Sequence, residues 1–100
     1  MSRREQTIKT LKEAFGFLSS EFSVEKIAVF GSVARDTMGQ DSDIDIVVEF
    51  RSPIGFRFNR LVEYLEDILG HGVDVLTRDG VKNIRVKEVA ENIEKDLIYV

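Results

Sequence analysis

The sequence predicts a small α/β or α+β domain in which helices cover a short sheet. Two periods alternate along the 100 residues. Apolar runs at 27–30, 46–48 and 72–77 are short enough for strands, whereas Ile8–Phe22 and Phe58–Leu69 place apolar residues three and four apart, as helices do. Turn-forming residues fall between them: Gly31-Ser32 after the first run, Pro53 and Gly55 after the second, Gly70 after the second helical stretch. The order is helix, strand, short helix, strand, helix, strand, helix.

A chain of this length makes one domain with one modest core, here residues 1–100. It is 43% hydrophobic and 32% charged, the balance of a soluble globular protein. A formal charge of -4 with dispersed basic residues argues against a large nucleic-acid footprint. With zero cysteines there are no disulfides and no thiolate metal sites, which fits a cytoplasmic location. No apolar run has the length of a membrane span, and the N-terminus lacks a signal-peptide core, so no membrane partner is expected.

The first helix is expected over about Glu5 to Glu21, with Ile8, Leu11, Phe15, Leu18 and Phe22 forming its buried stripe. Phe17 falls off that stripe and is a candidate partner contact. Ile27-Ala28-Val29-Phe30 then forms the first strand and breaks at Gly31-Ser32. A strand-end turn with a helix N-cap explains those two residues structurally. Their backbone N–H groups and the hydroxyl also suit a phosphate. Ser32 to Arg35 begins a short helix or turn, and residues 36–41 form a polar loop.

The second strand carries the chemistry. In Asp43-Ile44-Asp45-Ile46-Val47-Val48 the alternation turns Ile44 and Ile46 inward and puts Asp43 and Asp45 on one face. Carboxylates about 6–7 Å apart along a strand repel unless a cation lies between them, and a divalent ion is the natural candidate. Asp41, Asp43 and Asp45 mimic the start of a calcium loop, but Ile46 and Ser52 stand where that loop needs Gly and Glu. No Gly-Lys-Ser/Thr P-loop follows a strand. His71, the one histidine, sits in a glycine turn with no motif around it, which leaves Ser32 without a hydrolase base. A phosphate cradle beside a metal pair points to phosphoryl or nucleotidyl transfer.

Ser52 before Pro53 reads as a helix-start signal, and Phe58, Leu61, Val62, Leu65, Ile68 and Leu69 give the second helical stripe, closed by Gly70. Gly72 to Thr77 is the third strand, with Val73 and Val75 on one face. Asp74 within it reads by itself as a solvated strand-end residue. Val86, Val89, Ala90, Ile93 and Leu97 give a last helix packed on the outer side of the sheet, followed by Ile98-Tyr99-Val100. Tyr99 is open to reading as core, cap or partner contact.

Gly31-Ser32, ten residues, then Asp43-x-Asp45 resembles the signature of the DNA polymerase beta-like nucleotidyltransferase superfamily. The longer string GSVARDTMGQDSDIDIVVEF, followed by GVDVLT, resembles its smallest members, the minimal nucleotidyltransferases (MNT), including antitoxins paired with HEPN toxins. The resemblance runs from about Ile8 to Asp79. It implies the family's small mixed β-sheet with helices packed on it, and a third catalytic carboxylate at Asp74. It further implies a two-ion Mg²⁺ site on Asp43, Asp45 and Asp74, ATP as substrate, and phosphate binding by Gly31, Ser32 and Arg35. An exposed ion pair of Arg35 with Asp36 or Asp41 is the structural alternative. One departure is Asp36, where members often carry Gly; it implies an altered loop and weaker nucleotide affinity.

For the resembled antitoxins the acceptor is a tyrosine of the HEPN toxin, so AMP transfer to such a partner is the leading expectation, with no DNA or RNA template. Two alternatives stay open. One is a non-catalytic antitoxin that neutralises its partner by contact alone. The other is a nucleotidyltransferase acting on a small molecule such as an aminoglycoside, which would usually need a further helical domain. A regulatory nucleotide-binding subunit is more remote.

Overall fold

The computed structural model describes residues 2–34, 43–82, 91, 93, 95 and 97–100, apart from the side chains of Ser32, Asp79 and Lys82. In chain order the elements are helix α1 (Arg3–Phe22), strand β1 (Val24–Phe30), the short helix α2 (Gly31–Ala34) and strand β2 (Ile44–Phe50). Helix α3 (Arg57–Leu69), strand β3 (Val73–Thr77), the short helix α4 (Arg78–Lys82) and strand β4 (Ile98–Tyr99) complete them.

The four strands form one mixed sheet in the order β3-β2-β1-β4. β1 runs antiparallel to both β2 and β4, whereas β2 and β3 are parallel. That last pairing needs a crossover, and α3 supplies it. Periodicity had left the β1–β2 direction open; the structure makes it antiparallel, and the mixed sheet expected from the family resemblance is present.

The two faces of the sheet differ in what covers them. Ile27 and Val29 of β1, Ile44, Ile46 and Val48 of β2, and Val73 and Val75 of β3 point to the side covered by α1 and α3. Leu11, Leu18, Leu61 and Leu65 meet them there, each fully buried. The opposite face holds a smaller cluster of Phe30, Val47 and Val81, against which Leu76, Ile93 and Leu97 pack. Ile93 and Leu97 thus take the outer-face position expected of the last helix; Val86, Val89 and Ala90 lie outside the described residues.

Several boundaries moved for identifiable reasons. α1 starts at Arg3 because the Ser2 side chain accepts the Glu5 backbone N–H at 3.1 Å, a normal N-cap. Ser52-Pro53 does not start α3. Ile54 turns into the main core, Gly55 takes φ +55°, and the helix begins behind Phe56 without a side-chain cap. α3 closes at Gly70, φ +64°, as the sequence predicts. α4 was not anticipated: the Thr77 hydroxyl accepts the Gly80 N–H at 2.9 Å and opens a turn directly after β3. Ile98-Tyr99 forms β4, too short to be legible as a strand. Phe17, off the buried stripe, stacks on Tyr64 of α3 with ring centroids 4.7 Å apart. No helix among the described residues is long and apolar enough to cross a membrane.

Candidate active site

The sheet brings two of the three expected carboxylates side by side. Asp45, the second residue of β2, is in register with Asp74, the second residue of β3. Directly opposed residues on paired strands share a face, so both side chains leave the sheet on the side away from α1 and α3. Phe30, the last residue of β1, is the partner of Asp45 on its other flank. The row is therefore Phe30, Asp45, Asp74: one apolar wall and two carboxylates. Like charges on neighbouring strands repel, so this row disfavours itself in the absence of countercharge.

Asp43 stands one residue before β2 and is exposed, as is Asp74. The Ile44 N–H donates to the Gly72 carbonyl at 2.9 Å, which ties the start of β2 to the start of β3. Asp45 and Asp43 each lie against a glycine. A Cβ placed on Gly31 would collide with the Asp45 carboxylate; a Cβ on Gly72 would stand 2.6 Å from the Asp43 Oδ1. At Gly31 the backbone also requires glycine, since φ is +68°. The glycine of the Gly31-Ser32 motif is thus the residue that lets the chain turn from β1 into α2 while pressed onto Asp45.

Behind that turn, Val33 and Ala34 are buried in the main core. The Arg4 guanidinium donates to the Ala34 carbonyl at 3.2 Å, which fastens α2 to the first turn of α1. Gly31 therefore sits at a fixed point between β1 and a pinned helical turn. The Ser32 backbone belongs to that turn; its side chain, and all of Arg35 and Asp36, lie outside the described residues. His71 is in the turn between α3 and β3, its Nδ1 3.3 Å from the Gly72 carbonyl, consistent with a loop residue. Gly72 is the neighbour that sequence reading passed over. Residues 43 and 72 are linked by no periodicity or motif, only by the parallel pairing of β2 with β3.

The donor set suits a hard cation. Among the described residues no three His, Cys, Asp or Glu side chains form a group able to hold a metal unaided. Magnesium does not require one: it is usually held by one or two carboxylates, with substrate phosphates and water completing an octahedral shell. The paired Asp45 and Asp74, with Asp43 one residue before β2, are oxygen donors of that kind at the same end of two adjoining strands.

Comparison with known proteins identifies the family. The model of a nucleotidyltransferase domain matches residues 8–100. A protein of Methanocaldococcus jannaschii provisionally named protein adenylyltransferase MJ0128 is 44% identical over 84 residues, which are 83% of each chain. Protein adenylyltransferase MntA of Thermococcus cleftensis is 37% identical over 84 residues, covering 83% of this chain and 81% of its own. Among solved structures, one of a provisionally assigned minimal nucleotidyltransferase superimposes with TM-score 0.72 at 28% identity, over 98% of this chain and 95% of that one. A crystal structure of a toxin–antitoxin with AMP-PNP shares the fold, with TM-score 0.61 at 20% identity over 96% of this chain and 70% of that one. The chain therefore belongs to the nucleotidyltransferase domain family, as an enzyme of its minimal kind.

Proposed function

We propose that this protein transfers AMP from ATP to a hydroxyl, a tyrosine in the leading case, of a partner HEPN-domain toxin and so acts as its antitoxin. The observation that carries the reading is the in-register pairing of Asp45 with Asp74, with Gly31 seated against Asp45. The names of the relatives support protein as the acceptor, and the AMP-PNP carried by a toxin–antitoxin of the same fold supports ATP.

Asp43, Asp45 and Asp74 would hold Mg²⁺. When bound, it supplies positive charge for the triphosphate and lowers the pKa of the acceptor hydroxyl. The chain's own residues do the rest. Gly31 and Ser32 offer backbone N–H groups at the start of α2 to the β- and γ-phosphates, with Arg35 adding charge. The acceptor oxygen attacks the α-phosphorus in line; its bond to phosphorus forms as the bond to the β-bridging oxygen breaks, and pyrophosphate leaves. Asp74, at the exposed end of the row, takes the acceptor proton.

The test is the intact mass of a HEPN-domain toxin supplied as the acceptor, after incubation with this protein, ATP and Mg²⁺. A gain of one or more AMP units, absent with the Asp43→Asn/Asp45→Asn double variant, is expected. An unchanged mass together with a tight complex that ignores both substitutions would instead identify an antitoxin acting by contact alone.

A further inference from the structure

At the other end of β2, the connector into α3 leaves Phe56 99% exposed. A single exposed apolar side chain is ordinary, but this one is held out by an ordered support. Arg51 donates to the Ser19 carbonyl and to the Ser19 Oγ, each at 2.6 Å, and to the Val24 carbonyl at 3.2 Å. The Arg51 N–H reaches the Ser23 carbonyl at 2.8 Å, and Arg57 reaches the Glu21 carbonyl at 2.8 Å. Ile54 is buried in the main core, while the N–H groups of Arg57 and Phe58 return to Ile54 and Gly55 at 3.1 Å. The connector is clamped to the C-terminal end of α1 at both of its flanks, and the ring it carries touches solvent. An anchor ordered in advance binds without the entropy cost of ordering a loop.

The charge around it is distinctive. In a chain of net charge -4, residues 51–60 (RSPIGFRFNR) contain three arginines, no lysine and no carboxylate. Arg51 also lines, with Arg78, Ser52 and Thr77, a cavity of about 410 Å³ whose one carboxylate is Glu49, set against two guanidinium groups. A guanidinium keeps its full charge while some of its five donors hold the loop. Arginine in place of lysine favours planar, paired contacts with carboxylates. An exposed aromatic side chain in an arginine-rich segment also has the composition of interface hot spots.

We infer that Phe56 is the anchor by which this chain docks on an acidic face of its acceptor protein, the ring entering an apolar pocket and Arg57 and Arg60 facing carboxylates around it. For the identity of that partner the inference rests on the AMP-transfer reading above. Nucleic acid fits less well, because three arginines on an acidic chain do not make a phosphate-tracking groove. A membrane surface fits less well too, since the apolar face of α3 is turned into the core and Phe56 alone would enter the lipid. The seven residues of β2 span about 20 Å, with the aspartates at its start and the connector that carries Phe56 at its end. Docking and chemistry are thereby separate: the partner is gripped at one end of β2 and modified at the other.

The experiment compares the wild type, Phe56→Ala and Arg60→Glu for binding to the HEPN-domain toxin supplied as acceptor in the transfer test, by calorimetry at two salt concentrations, and for AMP transfer by intact mass. Phe56→Ala is expected to keep the wild-type melting temperature and to weaken binding by about tenfold or more. It should raise KM for the acceptor and leave kcat at saturation unchanged. Arg60→Glu should weaken binding further at low salt than at high salt. Wild-type affinity in Phe56→Ala, with AMP transfer intact, overturns the docking assignment and leaves the transfer reading standing. A wild type that neither binds nor modifies that protein overturns both. Self-association of the chain alone, or binding to phosphatidylserine vesicles, that disappears in Phe56→Ala would give the patch to a second copy or a membrane and equally overturn the assignment.

Discussion

Ile46 and Asp45 are adjacent in β2 and belong to different machines. Ile46 is fully buried beneath the helices, within the larger core. Asp45 leaves the sheet on the other side, beside Asp74 and against Gly31. The alternation of side chains along a strand is all that separates them. One face of the sheet therefore accumulates stability, and the other can carry like charges that folding alone would not select. Changes that act on one face should leave the other nearly untouched, and four substitutions test how clean that division is.

The largest effect is expected from Asp45→Asn. It should cut AMP transfer by about 10³-fold, the equivalent of several kcal/mol of transition-state stabilisation. The melting temperature should stay close to that of the wild type, because Asp45 lies outside both buried clusters; rate and thermal melt on the same sample check both halves. A large loss of stability would mean that Asp45 serves the fold after all.

Ile46→Ala, one residue away, should do the reverse. Removing a fully buried isoleucine costs about 2–5 kcal/mol, a large share of the roughly 5–15 kcal/mol that holds such a domain together. Urea titration measures that loss, and turnover of the molecules still folded should stay close to wild type.

Gly31→Ala is the substitution that crosses the division. Its φ of +68° costs an L-residue about 1–2 kcal/mol, and its Cβ displaces the Asp45 carboxylate. A moderate loss of stability should accompany a fall in rate of about 10²-fold, the scale of an ångström of misplacement. If the rate tracks only the folded fraction, the contact with Asp45 is incidental.

The smallest change is Gly16→Ala. Gly16 is an exposed position within α1, where an added Cβ meets nothing within 4 Å. Alanine should stabilise the helix by about 0.5–1 kcal/mol, seen as a higher urea midpoint with unchanged activity. A change in rate would show that α1 communicates with the site, for which the Arg4 contact to Ala34 is the available route.

Much of this was readable before any coordinates. A period of two turned Ile44 and Ile46 inward; periods of three and four placed Leu11, Leu18, Leu61 and Leu65 in the core, because regular backbones repeat their orientation at fixed intervals. The Gly31-Ser32 to Asp43-x-Asp45 spacing likewise pointed to the site, since those residues are close along the chain. Where the signal was short or conditional, reading failed. Ser52-Pro53 could begin a helix as well as a bend, and burial of Ile54 decided for the bend. Two residues of β4 carry too little pattern to be called a strand.

What the chain determined alone, then, is local: which segments are helix or strand, which residues face inward, and that a glycine turn and two carboxylates belong to one stretch. The tertiary structure alone decided which distant residues meet. That Asp74 stands beside Asp45, Gly72 against Asp43, and the connector arginines on the last carbonyls of α1 follows from the register of parallel strands and the docking of helices. Such choices are made by burial and hydrogen bonding across twenty or more residues of chain, where no local period can reach.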